Sequence, residues 1–166
     1  MKIIQYILLV CSLCLFDEIG AQNRSIEFRE GNWEQMLKMA KKEKKMIFVD
    51  CYTSWCGPCK MLAKNIFTQD SVADFYNANF ICFQIDMEKG EGPELARKYG
   101  VAAFPTLLYV DKDGMLKHCV VGNQQASEFI QNGKKALKGE QTLLDFQMRY
   151  DAGDRDRTFV KQYIDV

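Results

Sequence analysis

The sequence is short of histidine and carries no net charge. One His stands among 166 residues, and 22 Lys plus Arg balance 22 Asp plus Glu. A single His weighs against His-based metal sites and Ser/His/Asp triads. Zero formal charge leaves no electrostatic footprint for nucleic acid. Internal repeats and low-complexity stretches are also lacking. The apolar run from Ile3 to Phe16 is shorter than the ~20 residues that span a bilayer. With 48% apolar and 27% charged residues, the composition is that of an ordinary globular protein. Disorder, a collagen-like chain and a multi-pass membrane protein are excluded. The length suits one domain with a little chain left over, large enough to fold without metal or disulfide staples. What is present in excess is cysteine. Seven is an odd number, and it lies below the density of a disulfide scaffold.

The N-terminus reads as a leader. Met1-Lys2 is a basic start, Ile3 to Phe16 is apolar, and Gly20-Ala21 supplies small residues for cleavage, the layout of a secretory signal peptide. A buried N-terminal helix or strand is the alternative. Lipid attachment at Cys11 or Cys14 is disfavoured, because Val10 and Leu13 are larger than the residue expected before a lipidated Cys. The expected organisation is therefore a leader over 1–21, a domain over 22–138 and a helical extension over 139–166. Without the leader, five cysteines remain in an exported compartment, where disulfides persist.

Downstream, Asn32 with Gln35 has capping-box spacing, and Trp33, Met36, Leu37 and Ala40 predict an amphipathic helix over 33–43. Met46 to Tyr52 is apolar without alternation, as in a strand buried on both faces. A helix opens at Cys56, a short one at Asp70 or Ser71, and Phe80 to Asp86 is a second strand. A helix from Gly92-Pro93 to Gly100 precedes strands over 104–110 and 115–121, joined by a turn at Asp111-Lys112-Asp113-Gly114. A helix over 126–137 closes the domain, and two helical segments follow, Thr142 to Tyr150 and Thr158 to Ile164. This order predicts an α/β fold with a mixed sheet flanked by helices. The tail is either a docked accessory hairpin or the start of a second helical region.

The chemistry-bearing motif is Trp55-Cys56-Gly57-Pro58-Cys59-Lys60, between a buried strand and a helix. Two Cys at i and i+3 can close a small disulfide ring on the first helical turn. The first thiol then faces the unsatisfied N–H groups and positive dipole end of the helix. Both favour the thiolate and lower the thiol's pKa, and the thiolate is the attacking species in thiol–disulfide exchange. Cys56 is thus the expected exposed nucleophile and Cys59 the shielded resolving thiol. A structural disulfide remains an alternative. So does half a zinc site, but that needs four ligands, and the other C-x-x-C, Cys11/Cys14, lies in the leader.

These residues resemble the thioredoxin family. The matching positions are Val49-Asp50, the Trp55 to Lys60 motif, Asp86, Tyr99-Gly100-Val101, Phe104-Pro105-Thr106 and Gly122, over about residues 27–138. The resemblance implies a thioredoxin fold with Cys56–Cys59 as the redox disulfide. It implies that Asp50 is a buried carboxylate taking the Cys59 proton, and that Pro105 is a cis-proline presenting backbone to an extended substrate. Trp55, Gly57, Pro58, Phe104, Pro105 and Thr106 would form the substrate-binding loops. The segments 65–72 and 86–92 look like the exported branch, which implies the bacterial periplasm.

One departure stands out. Cytosolic relatives carry a Lys near the buried Asp, and Cys82 occupies that position here, so Asp50 should ionise less readily. Cys51, Cys82 and Cys119 lie in strands and read as small buried hydrophobes. A second redox thiol, with Cys51 foremost, is the sharper alternative. The expected function is an envelope protein-disulfide reductase with no metal and no bound cofactor. It would act on disulfide-containing proteins and draw on a thiol electron donor, a membrane transducer for example, without binding nucleic acid. The rivals are a disulfide oxidant or isomerase, and an interaction module whose C-terminal helices bind a partner.

Overall fold

The computed structural model describes residues 24–165. The expected leader, with Cys11 and Cys14, lies outside them. Helix α1 (Trp33–Glu43) starts where Asn32 accepts the Gln35 N–H at 3.0 Å and the Gln35 side chain accepts the Asn32 N–H at 2.9 Å. It ends at Lys44 in the left-handed region, φ 55°. Strand β1 (Met46–Tyr52), α2 (Gly57–Asn65), α3 (Asp70–Asn79), β2 (Phe80–Asp86) and α4 (Gly92–Tyr99) follow. Then come β3 (Thr106–Val110), β4 (Leu116–Val121), α5 (Ala126–Lys138), α6 (Leu143–Asp151) and α7 (Arg157–Ile164).

The sheet order is β2-β1-β3-β4. β1 and β2 run parallel, while β1–β3 and β3–β4 are antiparallel. The alternation of strand side chains divides the core in two. Val49, Cys51, Phe83, Leu108 and Cys119 face Trp33, Met36, Leu95 and Tyr99 of α1 and α4. Phe48, Cys82, Leu107 and Tyr109 face Leu62, Tyr76 and Phe129 of α2, α3 and α5. Central β1 is buried on both faces from Ile47 to Cys51, which explains its lack of polar alternation.

One expectation needs correction. β3 begins at Thr106 rather than Phe104, because the Phe104–Pro105 pair stays outside the ladder and Pro105 has no N–H to offer it. In the tail, for which the sequence allows two readings, α6 packs along edge strand β4, and Met148 joins the core of the α1 face. Asp145 makes the dock. It accepts from His118 Nδ1 at 2.9 Å, from the Cys119 backbone N–H, and from the Thr142 N–H and hydroxyl that cap α6. These contacts hold α6 against β4. No helix among the described residues is long and apolar enough to cross a membrane.

Candidate active site

Cys56 is the N-cap of α2. Its backbone is extended, φ −68° and ψ 105°, and its Sγ accepts the Cys59 N–H at 3.1 Å. Pro58 sits in the first turn, where its missing N–H costs nothing. Cys56 and Cys59 form a disulfide with Cα atoms 5.3 Å apart. Cys59 is shielded as expected, 5% exposed, but Cys56 is only 2% exposed. The expected exposed nucleophile is therefore covered in the disulfide state. Its sulfur is turned inward over the first helical turn by the bond to Cys59 and the N–H of that residue. The groups presented to solvent around it are Trp55, Gly57 and Pro58.

Trp55 is 65% exposed. Its indole donates to Glu88 Oε2 at 2.9 Å and meets the Phe104 ring edge-on, with centroids 6.0 Å apart. Glu88 is held in turn by its backbone N–H, which donates to Asp86 Oδ1 at 3.0 Å. The Phe104–Pro105 bond is cis. The Pro105 carbonyl accepts the Gly122 N–H at 2.8 Å, and Thr106 Oγ1 donates to the Ala103 carbonyl at 2.7 Å. An extended segment laid beside Pro105 would thus meet Trp55 and Phe104 as an apolar shoulder.

Asp50 is 1% exposed on β1. Burial raises its carboxyl from 3.8 to about 6, and a hydrogen bond from Gln84 pulls the other way. That bond, Gln84 Nε2 to Asp50 Oδ2, measures 2.8 Å. Here the strand register corrects the expectation for Cys82. β1 and β2 pair Asp50 with Gln84 and Phe48 with Cys82, so the residue across from the acid is a neutral amide. Gln84 was missed from the sequence, although it is the one polar side chain between Phe80 and Ile85.

The other thiols are not part of the disulfide. Cys51, Cys82 and Cys119 are free and buried. Burial pushes the Cys82 thiol up to about 12 and raises those of Cys51 and Cys119 as well. Cys51 follows Asp50 but points to the opposite face of the sheet. Among the described residues, no group of three or more His, Cys, Asp or Glu is placed to hold a metal ion.

Comparison with known proteins fits this geometry. A family model described as a thioredoxin-like domain matches residues 33–137. A solution structure of a candidate disulphide-isomerase from Bacteroides thetaiotaomicron is 46% identical, with a TM-score of 0.64, and the match covers 71% of this chain and 98% of that one. Protein disulfide isomerase-like 5-3 of Oryza sativa subsp. japonica is 27% identical over 128 residues, 77% of this chain and 28% of that protein. The thiol:disulfide interchange protein DsbD of Pseudoalteromonas atlantica is 31% identical over 110 residues, 64% of this chain and 18% of that protein. The chain thus spans well under two thirds of these two curated relatives. With more than half of its residues matched to the family's domain, the chain belongs to the thioredoxin family.

Proposed function

We propose that the protein is a thiol–disulfide oxidoreductase of the cell envelope that reduces protein disulfides through the Cys56/Cys59 couple. The observation that carries this reading is the disulfide at the head of α2, with Cys56 Sγ accepting a helix N-terminal N–H. The same N–H groups and dipole that hold this sulfur would stabilise a Cys56 thiolate after reduction. In the reduced protein the Cys56 thiolate attacks a substrate disulfide, R–S–S–R′. Cys56–S–S–R forms, and R′S⁻ leaves and takes a proton from water. Cys59 then passes its proton to Asp50, and its thiolate attacks Cys56 Sγ. The Cys56–Cys59 disulfide reforms and RS⁻ leaves. Two electrons move from the dithiol to the substrate, and a thiol donor returns them. The Cys pair is itself the redox group, so the cycle calls for no bound cofactor.

Gly57-Pro58 between the cysteines supports the reducing direction, being the dipeptide of reducing family members. The leader-like segment over 1–21 supports export. The resemblance to exported relatives and the match to an interchange protein support disulfide-bonded protein substrates, with a membrane thiol transducer as donor. The proposed functional residues are Cys56, Cys59 and Asp50, with Trp55, Gly57, Pro58, Phe104, Pro105 and Thr106 lining the substrate side. The proposed organisation is leader 1–21, domain 22–138 and extension 139–166. Isomerisation is the second reading, favoured by the match to a candidate disulphide-isomerase.

Reduction of a disulfide-bonded protein substrate should be abolished by Cys56→Ser. Equal rates for variant and parent would overturn the oxidoreductase reading. Equilibration against a glutathione buffer should give a potential below about −200 mV, and a value well above that would overturn the reducing direction alone.

A further inference from the structure

We infer that Gln84 is a positioning residue of the exchange reaction, an amide that holds Asp50 for the proton transfer freeing the Cys59 thiolate and stays bonded to it in both protonation states. This inference rests on the proposed exchange at Cys56 and Cys59.

The placement of Gln84 is what needs explaining. β2 is buried at every position except this one. The exposed amide reaches inward to a carboxylate, and that bond is the hydrogen bond made by the Asp50 side chain, since Oδ1 is buried and unpartnered among the described residues. On its outer side Gln84 lines a cleft of about 290 Å³ together with Tyr52, Thr53, Ser54, Cys59, Lys60 and Ala63. One side chain therefore joins the buried acid to the cleft on which the resolving cysteine opens.

The surroundings of Asp50 leave the task to this amide. On β1 its neighbour Cys51 points to the other face, and Tyr52 reaches only the cleft. β2 presents Gln84 and, one inward step away, Cys82. β3 presents uncharged Leu107 and Thr106. α2 brings Cys59 and the cation Lys60 to the cleft. Burial raises the Asp50 carboxyl and the Gln84 bond lowers it.

A glutamine suits a proton that must come and go. Its NH₂ donates to an ionised carboxylate, and after a half-turn its carbonyl accepts from a protonated carboxyl. A lysine offers donors only and would favour the ionised acid throughout. In the resolving step Cys59–SH and Asp50–COO⁻ become Cys59–S⁻ and Asp50–COOH. The thiolate then attacks Cys56–S–S–R to give Cys56–S–S–Cys59 and RS⁻. Asp50 next returns its proton to water, or to RS⁻, through the cleft that Gln84 lines.

The test uses the fully reduced protein with 5,5′-dithiobis(2-nitrobenzoate). Attack by Cys56 releases a first thionitrobenzoate, and resolution by Cys59 releases a second. In Gln84→Met the first phase should keep its rate, while the second slows about tenfold at neutral pH, a fraction of what a general base contributes. The Asp50 carboxyl, followed by carbon NMR, should titrate at higher pH in Gln84→Met and at lower pH in Gln84→Lys. The pH profile of the second phase should move with it. In an Asp50→Asn background, Gln84→Met should add nothing. An unchanged second phase in folded Gln84→Met overturns the inference, as does a second phase that slows without any move of its pH profile. A parent protein that releases only one equivalent refutes the exchange reading instead, and the Asp50 titration would still report on the Gln84 bond.

Discussion

Asp50, the proposed proton acceptor, weakens the fold through its burial. Its carboxyl is raised from 3.8 to about 6 in the folded chain, so between those values the folded state binds the more protons. Unfolding free energy then falls as pH rises from about 4 through 6 and levels off above. The shift corresponds to roughly 3 kcal/mol at neutral pH. Asp50→Asn should recover about 2–3 kcal/mol at pH 7 in denaturant unfolding and flatten the curve between pH 4 and 6. A variant that kept the parent's pH dependence would locate that dependence elsewhere. The pairing of Cys56 with Cys59 at the head of a helix was legible because it depends on local spacing around one strand–helix junction, and the burial of Asp50 followed from the family resemblance. Gln84 was not legible, because its contact exists only once β2 pairs with β1 in one register. Counting along β2 without that register pointed to Cys82, one inward-facing step away from the residue that meets the acid.

At the scale of elements, the helices were readable where their ends carry capping residues, as Asn32 and Gln35 do for α1. The start of β3 was misplaced by two residues because Phe104 looks like strand, while Pro105 cannot join a ladder. The docking of α6 is one of two alternatives that the sequence allows. It depends on Asp145 meeting His118 across 27 residues, and no periodicity encodes that meeting. Asp145 is both a capping residue and the clasp on β4. Burial pushes its carboxyl up, but the hydrogen bonds from His118, Thr142 and Cys119 together outweigh it and hold the group below the usual carboxylate range, so the stability it adds is present above that range and is lost only as pH falls through the lowered value. Asp145→Ala would strand the Cys119 and Thr142 N–H groups and the buried His118 ring, a change that typically costs about 3–5 kcal/mol. Hydrogen exchange should accelerate across 142–165 and β4 while disulfide reduction by Cys56 persists. Unchanged protection there would show that Met148 alone holds the helix.

For the whole molecule, the extension solves a problem of sheet edges. β2 is flanked by the Phe28 bridge to Cys82, and β4 is the opposite edge, covered by α6 where Asp145 takes the Cys119 N–H. Removing residues 140–166 would leave an open strand with an unpaired ladder, a template for pairing with another copy. The shortened protein should associate with rising concentration in sedimentation, and a monomer at all concentrations would refute this role for the tail.

The division of the sheet into two faces has one more outcome. Cys51 and Cys119 share a face, but β3 lies between their strands, about 9–10 Å apart, and Cys119 aligns with Val49 rather than Cys51, which puts the pair beyond the ~7 Å limit for bridging. Cys82 lies on the other face. Strand placement therefore keeps the three free sulfurs among the described residues apart from one another, and burial holds each of them as a thiol.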